Sequence, residues 1–330
     1  MSYSTEAKND VSACSNPIGE SKREKRRKKR TEFRKAISKN KYLLAMMIPG
    51  LILLIIFKYL PMYGILMAFE KFRPAKGILG SQWVGLYQFR TFFEDPYGIR
   101  ALKNTAIIGI ESLIIGFPLP IIFALSINEI RNMKFKKTAQ TISYMPYFIS
   151  VVVIVGILMD FCAINGGKIN ELIVSLGGSA VDFFSDPKWF RTLYIGSGLW
   201  QTVGYNSIIY LAAIAGIDPA LYEAAELDGA SHMQQVFHVT LPSLVPTIAV
   251  LFILAVGGVL GTDYQKILLM YNANNFSTAD VLSTYLYRYG VEGGNFSYST
   301  AVGLINAVLS FILLWSANTV SKKMNGESLW

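Results

Sequence analysis

YEAAELDGASHMQQVFHVTLP, residues 222–242, joins two long apolar runs and carries neither lysine nor arginine. Widened to 217–243, the segment holds four acidic residues, Asp218, Glu223, Glu226 and Asp228, and still no Lys or Arg. The chain around it has the opposite sign, with 31 Lys+Arg against 22 Asp+Glu over 330 residues and a formal net charge of +9. Its internal grammar is that of two short helices. Asp218 is placed to cap, Pro219 suits a first helical position, and Gly229 suits a left-handed helix end. Ser231 and Gln234 have the spacing of a capping box that starts a second helix, through about Val239. Leu241-Pro242 is expected to end that helix and lead into the next apolar run. The segment reads as a shaped object hinged at Gly229, and Ala224 and Ala225 leave one face small enough for another surface to approach. A solvated acidic linker needs none of this grammar.

The rest of the chain fixes the medium. It is 52% hydrophobic and 16% charged, whereas soluble domains carry about 25% charged residues. The apolar residues gather into about six runs, near 42–60, 104–127, 142–164, 193–216, 244–262 and 299–320. Each is close to the ~20 residues that a helix needs to cross ~30 Å of hydrocarbon. The first can extend to Phe69 if Lys58 snorkels to the interface. Each run contains Gly or Pro, which membrane helices tolerate where neighbours satisfy the freed backbone groups. Ten-residue alternation of the kind membrane barrels require is absent. The fold class is therefore an all-α membrane protein with about six transmembrane helices, preceded by a basic tail at 1–41.

Lys and Arg give the orientation. The tail carries eight basic residues in the nine of KREKRRKKR (Lys22–Arg30), and the loop NEIRNMKFKKTAQ has four: Arg131, Lys134, Lys136 and Lys137. With alternating spans these fall on one side together with Lys322-Lys323, which places both termini in the cytoplasm. The tail reads as a topology signal beside anionic lipid, in preference to a nucleic-acid contact. Forty-one mostly polar residues before the first run fit no cleavable signal peptide. Cys14 and Cys162 lie far apart and give no disulfide framework or metal spacing.

The pattern Glu223-Ala224-Ala225, three residues, Gly229, nine residues, Val239, one residue, Leu241-Pro242 resembles the EAA motif of permease subunits of bacterial ABC importers. Val239 departs from the more usual Ile. VGLYQFRTFFEDPYGIRALKNT (84–105), MPYFISVVV (145–153), GGKINELI (166–173) and LPSLVP (241–246) are similar to the carbohydrate branch, most of all to the LplB-like group of the maltose-transporter permease class. The resemblance implies the type I importer permease fold over 42–330 and a bacterial cell membrane location. It also implies a second homologous permease, an ATPase dimer and an extracytoplasmic sugar-binding lipoprotein as partners. ATP and Mg would be bound by the ATPase, with no cofactor on this chain and no catalytic residue. The coupling residues would be Tyr222, Glu223, Ala224, Ala225, Asp228, Gly229, Ala230, Leu241 and Pro242. No G-x-x-x-x-G-K occurs in the chain, so it has no phosphate-cradling loop of that type. His232 and His238, six apart, do not share a helix face, and no metal site is expected.

Polar groups within spans are costly and suggest function. Glu111, Gln201, Tyr205, Asn206, Tyr210 and Asn306 sit at comparable depth if the runs are straight helices. Amides and aromatic rings at one level suit an oligosaccharide, and the same groups also serve as hydrogen bonds between helices. Asp160 and Asp263 read as interfacial. A secondary transporter would require ionisable residues deep in several spans, where only Glu111 qualifies. A permease for peptides or polyamines shares the EAA loop, and only the flanking resemblance and aromatic content separate it.

Overall fold

The computed structural model describes residues 39–326, so the basic run at 22–30 lies outside the described residues. Packing divides them into two units that meet in sequence at Tyr63 and Gly64. The first is a helix, α1 (Lys41–Leu54), continued by a π-turn over Ile55–Tyr59. It is apolar on every side, as a lipid-facing helix is, and Pro49 lies within it.

The second unit is helical apart from a two-residue antiparallel ladder, β1 (Glu70–Lys71) with β2 (Gln82–Trp83). The helices that follow are α2 (Tyr87–Glu94), α3 (Pro96–Gly116), α4 (Pro118–Asn128), α5 (Met133–Tyr144), α6 (Val151–Cys162), α7 (Lys168–Ser175) and α8 (Pro187–Ala215). Then come α9 (Pro219–Leu227), α10 (His232–Gln235), α11 (Leu241–Gly257), α12 (Tyr264–Met270), α13 (Phe276–Ala279), α14 (Leu282–Leu286) and α15 (Phe296–Asn325). Four helical segments among the described residues are long and apolar enough to cross a membrane: Lys41–Phe69, Pro96–Asn128, His232–Gly257 and Phe296–Lys323. Two bent helix pairs pass the same length and composition test together, which gives up to six spans if each pair is one span.

One bent pair corrects the straight span expected at 142–164. Pro146 lies in a 3₁₀ turn, Met145–Phe148; Ile149 is extended, and Ser150 then caps α6 by accepting from the Val153 N–H at 3.5 Å. The arms, Met133–Phe148 and Val151–Cys162, meet at 100°. A carbonyl freed by such a break needs a partner in hydrocarbon, and Gln201 Nε2 donates to Ile149 O at 3.1 Å. A second correction concerns Leu241-Pro242, which does not end the helix begun at His232. A π-turn over Val236–Thr240 widens the coil there. Pro242, with no N–H to give, is thereby accommodated and the helix runs on to Gly257.

The largest departure from a chain of plain spans is at 263–298, the connection between the apolar runs at 244–262 and 299–320. It holds α12, α13, α14 and a π-turn over Tyr287–Glu292, and it supplies core residues. Ile267, Met270, Ala279 and Val281 pack with Ile108, Val155 and Phe190. Leu282 and Tyr285 pack with Phe92, Ala101, Tyr298 and Val302. Asp280, fully buried, holds this segment together. Arg288 donates to its two carboxylate oxygens at 2.9 and 3.2 Å, and the Thr284 hydroxyl donates at 2.9 Å. Asn104 of α3 donates to the carbonyls of Ser277 and Asp280 at 3.0 and 2.9 Å, and Thr105 Oγ1 accepts from the Leu282 N–H at 2.8 Å. Tyr285 donates to Asp95, the cap of α3, and lies 2.6 Å from the Tyr298 hydroxyl. Burial first, then Asp95 and Tyr298, hold the Tyr285 hydroxyl above the ordinary tyrosine range, so it remains a donor.

Removing one member of a buried, hydrogen-bonded ion pair strands the other charge, at a cost of about 3–5 kcal/mol. Asp280→Ala and Arg288→Ala should each lower the melting temperature of the purified assembly markedly. The double variant should cost clearly less than the sum of the two, as read from the same thermal melts.

Candidate functional sites

The 217–243 segment folds as its capping signals dictate. Asp218 accepts from the Ala220 N–H at 3.0 Å to start α9. At its end, Ala230 N–H donates to Ala225 O at 2.9 Å and Gly229 N–H to Glu226 O at 3.0 Å. With Gly229 at φ 79°, this is a Schellman termination. Gln234 Oε1 then accepts from the Ser231 N–H and hydroxyl at 2.7 and 2.8 Å, the glutamine half of a capping box. The Tyr222 hydroxyl lies 2.9 Å from Thr240 Oγ1, which is buried within the π-turn. That contact fixes the first arm against the second.

The arms show an unusual surface. No residue of α9 is buried. Leu227 is 90% exposed, Met233 61% and Phe237 56%, an apolar group beside exposed Glu223, Ala224 and Asp228. The neighbouring basic loop reaches this segment: Arg131 Nη2 lies 3.1 Å from His232 Nε2, and Glu129 Oε2 is 3.9 Å from His232 Nδ1. Among the described residues no group of three or more His, Cys, Asp or Glu could hold a metal. At the segment's root, Ile214 and Tyr210 of α8, Leu244 of α11 and Ala124 of α4 form one buried cluster.

A cavity of about 540 Å³ opens between α3, α4, α8 and α11, within the roughly 300–1,000 Å³ typical of small-molecule sites. Of the six polar residues singled out from the sequence, Gln201, Asn206 and Tyr210 line it. The other three lie elsewhere. Glu111 Oε1 is 3.4 Å from Arg191 Nη1, an ion pair between α3 and α8. The Tyr205 ring stacks on Tyr147 with centroids 3.7 Å apart, at the 100° bend. Asn306 Oδ1 is buried without a hydrogen-bond partner among the described residues.

The wall also holds Asp263, expected at the interface, and Lys266, which the sequence reading passed over. Asp263 caps α12 by accepting from the Gln265 and Lys266 N–H groups at 3.0 and 3.2 Å, and its own N–H donates to Tyr194 Oη at 3.1 Å. It is exposed, yet committed to the helix and to the cavity mouth. Lys266, 4% exposed, donates from Nζ to Tyr194 O at 3.0 Å. Burial pushes its ammonium down to about 8, and Asp263 pulls it partly back. The available signal was the spacing of Asp263, Lys266 and Met270 on one side of a short capped helix.

The family model for "binding-protein-dependent transport system inner membrane component" matches residues 116–326. The chain is 43% identical over 305 residues to the polygalacturonan/rhamnogalacturonan transport system permease protein YteP of Bacillus subtilis (strain 168), covering 92% of this chain and 95% of that protein. It is 41% identical over 295 residues to Protein LplB of the same organism, covering 89% and 93%. A chain in the crystal structure of a bacterial alginate ABC transporter, in complex with an alginate pentasaccharide-bound periplasmic protein, superposes with a TM-score of 0.82 at 40% identity, covering 89% of this chain and 99% of that one.

A Cβ at Gly229 would meet nothing within 4 Å, so a substitution there carries only the backbone cost of the left-handed conformation. Gly229→Ala should cost about 1–2 kcal/mol locally and Gly229→Asn less. Hydrogen exchange across 219–235 should accelerate in that order, with the rest of the chain unchanged.

Proposed function

We propose, for a chain that belongs to the family of binding-protein-dependent transport system inner membrane components, that it imports oligosaccharides released from polysaccharides. It is a transport subunit and not an enzyme. In this reading it pairs with a second permease, receives substrate from an extracytoplasmic binding protein and is driven by two ATPase subunits that bind ATP and Mg. Both termini and the 217–243 segment face the cytoplasm. The substrate class rests on its relatives, the polygalacturonan/rhamnogalacturonan permease and the alginate transporter with its pentasaccharide-bound partner.

The observation that carries the coupling role is the 217–243 segment. It is rigid by its own caps, pinned by Tyr222 to Thr240, and it presents exposed Leu227, Met233 and Phe237 to whatever docks. Glu223, Ala224, Ala225, Asp228, Gly229 and Ala230 form the docking arm. Leu241 and Pro242 belong to the continuous helix behind it. When the ATPase subunits close on ATP they move this arm as one body. The cluster of Ala124, Tyr210, Ile214 and Leu244 at its root passes the motion to α4, α8 and α11, three of the helices that line the cavity. Packed clusters shift between discrete arrangements and do not flex continuously, which suits a cavity that opens alternately to the two sides. Gln201, Asn206 and Tyr210 face the sugar in that cavity. Glu111 and Tyr205 hold helices together.

Affinity purification through a tag on this permease tests the docking. The ATPase subunits should co-elute with the native chain. They should be reduced at least about tenfold by Glu223→Lys, which reverses a docking charge, and by Gly229→Pro, whose ring forbids φ 79°. The second permease should remain bound in both. ATPase association that survives both changes would refute the assignment.

A further inference from the structure

Fully buried Asp280 is paired with Arg288, and half-exposed Glu111 is paired with Arg191. Lys266 is more buried than either arginine, yet no described carboxylate forms an ion pair with it. Its Nζ has the Tyr194 carbonyl at 3.0 Å and the face of the Tyr194 ring at 5.0 Å. Both are neutral. The nearest acidic group in sequence, Asp263, spends Oδ1 on the backbone N–H groups at the start of α12. A buried ammonium with neutral partners is costly, and this one stands on the wall of the cavity, not in packed protein. Room for it is made by Gly198, also on the wall, where a Cβ would lie only 3.3 Å from Nζ.

We propose that Lys266 is the anion-reading residue of the transport path, and that the substrates it selects are acidic oligosaccharides whose sugar carboxylate pairs with its ammonium. This deepens the oligosaccharide reading and rests on it. The surrounding groups suit a carboxylate carried on a polyhydroxyl ring. Gln201 and Asn206 offer amides and Tyr210 a hydroxyl, while Thr202, whose hydroxyl donates to Gly198 O at 2.8 Å, is left to accept. A phosphate would call for a cluster of cations or a fork of arginine donors, whereas a single ammonium matches the single charge of one sugar carboxylate. With one cation and no clamp, the site holds an anion weakly enough to release it, as a transport path requires. The ammonium is still mostly protonated at neutral pH, and an arriving carboxylate raises its affinity for the proton further.

The test is uptake by the complete importer, with its binding protein, in proteoliposomes. The probes are an oligogalacturonate and the same oligomer with its carboxyls methyl-esterified. The binding protein is the same in every arm, so a change in the acid-to-ester ratio between variants belongs to the permease. Lys266→Gln keeps a donor for Tyr194 O and removes the charge, and Lys266→Met removes both. Both variants should lower acid uptake about tenfold or more, the loss expected for a charge-assisted hydrogen bond. With Lys266→Gln, ester uptake should stay within about twofold, since its neutral contacts are kept. An equal loss for acid and ester in Lys266→Gln, or no loss for either, overturns the assignment. If the native importer carries the ester and not the acid, the oligosaccharide reading stands and this assignment falls. If it carries neither, both fall.

Discussion

The carboxylate of Asp280 is the point on which the second unit depends. A charge with no exposed surface survives only if its hydrogen-bonding capacity is filled, and here Arg288 and Thr284 fill it. The chain around it is bound to α3 by Asn104 and Thr105. Together these contacts turn a stretch that could have been a loose connection into a layer packed against α2, α3, α6 and α8. They also decide where α12 lies, and therefore that Lys266 and Asp263 stand at the cavity. The packed layer and the cavity wall share this anchor.

At the other end of the helices the design is local. The 217–243 segment owes its shape mainly to hydrogen bonds spanning five residues or fewer, with Tyr222–Thr240 and the Arg131–His232 contact to the basic loop as longer ties. Such a segment can move as a body without losing its own structure. The helix behind it absorbs Pro242 in a π-turn and stays continuous from His232 to Gly257. Displacement of the arm therefore acts directly on the α11 wall of the cavity. The 100° break at Ile149 is held by Gln201, a cavity residue, so the bend and the cavity cannot change independently.

This division explains what could be read from the sequence. The caps at Asp218, Gly229 and Ser231 are local rules acting on adjacent residues, and the helix–hinge–helix form was legible with them. The apolar runs were legible because hydrocarbon thickness imposes a length. The break at 148–151 was harder: Pro146 and Ser150 signal a stop and a restart, but in a run so apolar that length alone suggests one helix. The layer at 263–298 was hidden because its burial comes from Asn104, Thr105 and Asp95, some 170–190 residues away. Lys266 is the clearest case. A lone lysine in YQKILLM reads as surface, and only its partner Tyr194, 72 residues earlier, places it inside. Tyr205 and Asn306 failed to join the cavity for the complementary reason: depth along a helix is readable from sequence, but which face meets which neighbour is not.

The proposed activity of this subunit is import of an oligosaccharide driven by ATP on its partner subunits. Proteoliposomes containing the two permeases and the ATPase subunits, given binding protein and a labelled oligosaccharide outside and ATP inside, measure it directly. Label should accumulate only with ATP and the binding protein present, and a proton or sodium gradient should not replace ATP. Accumulation driven by an ion gradient without ATP would contradict the account.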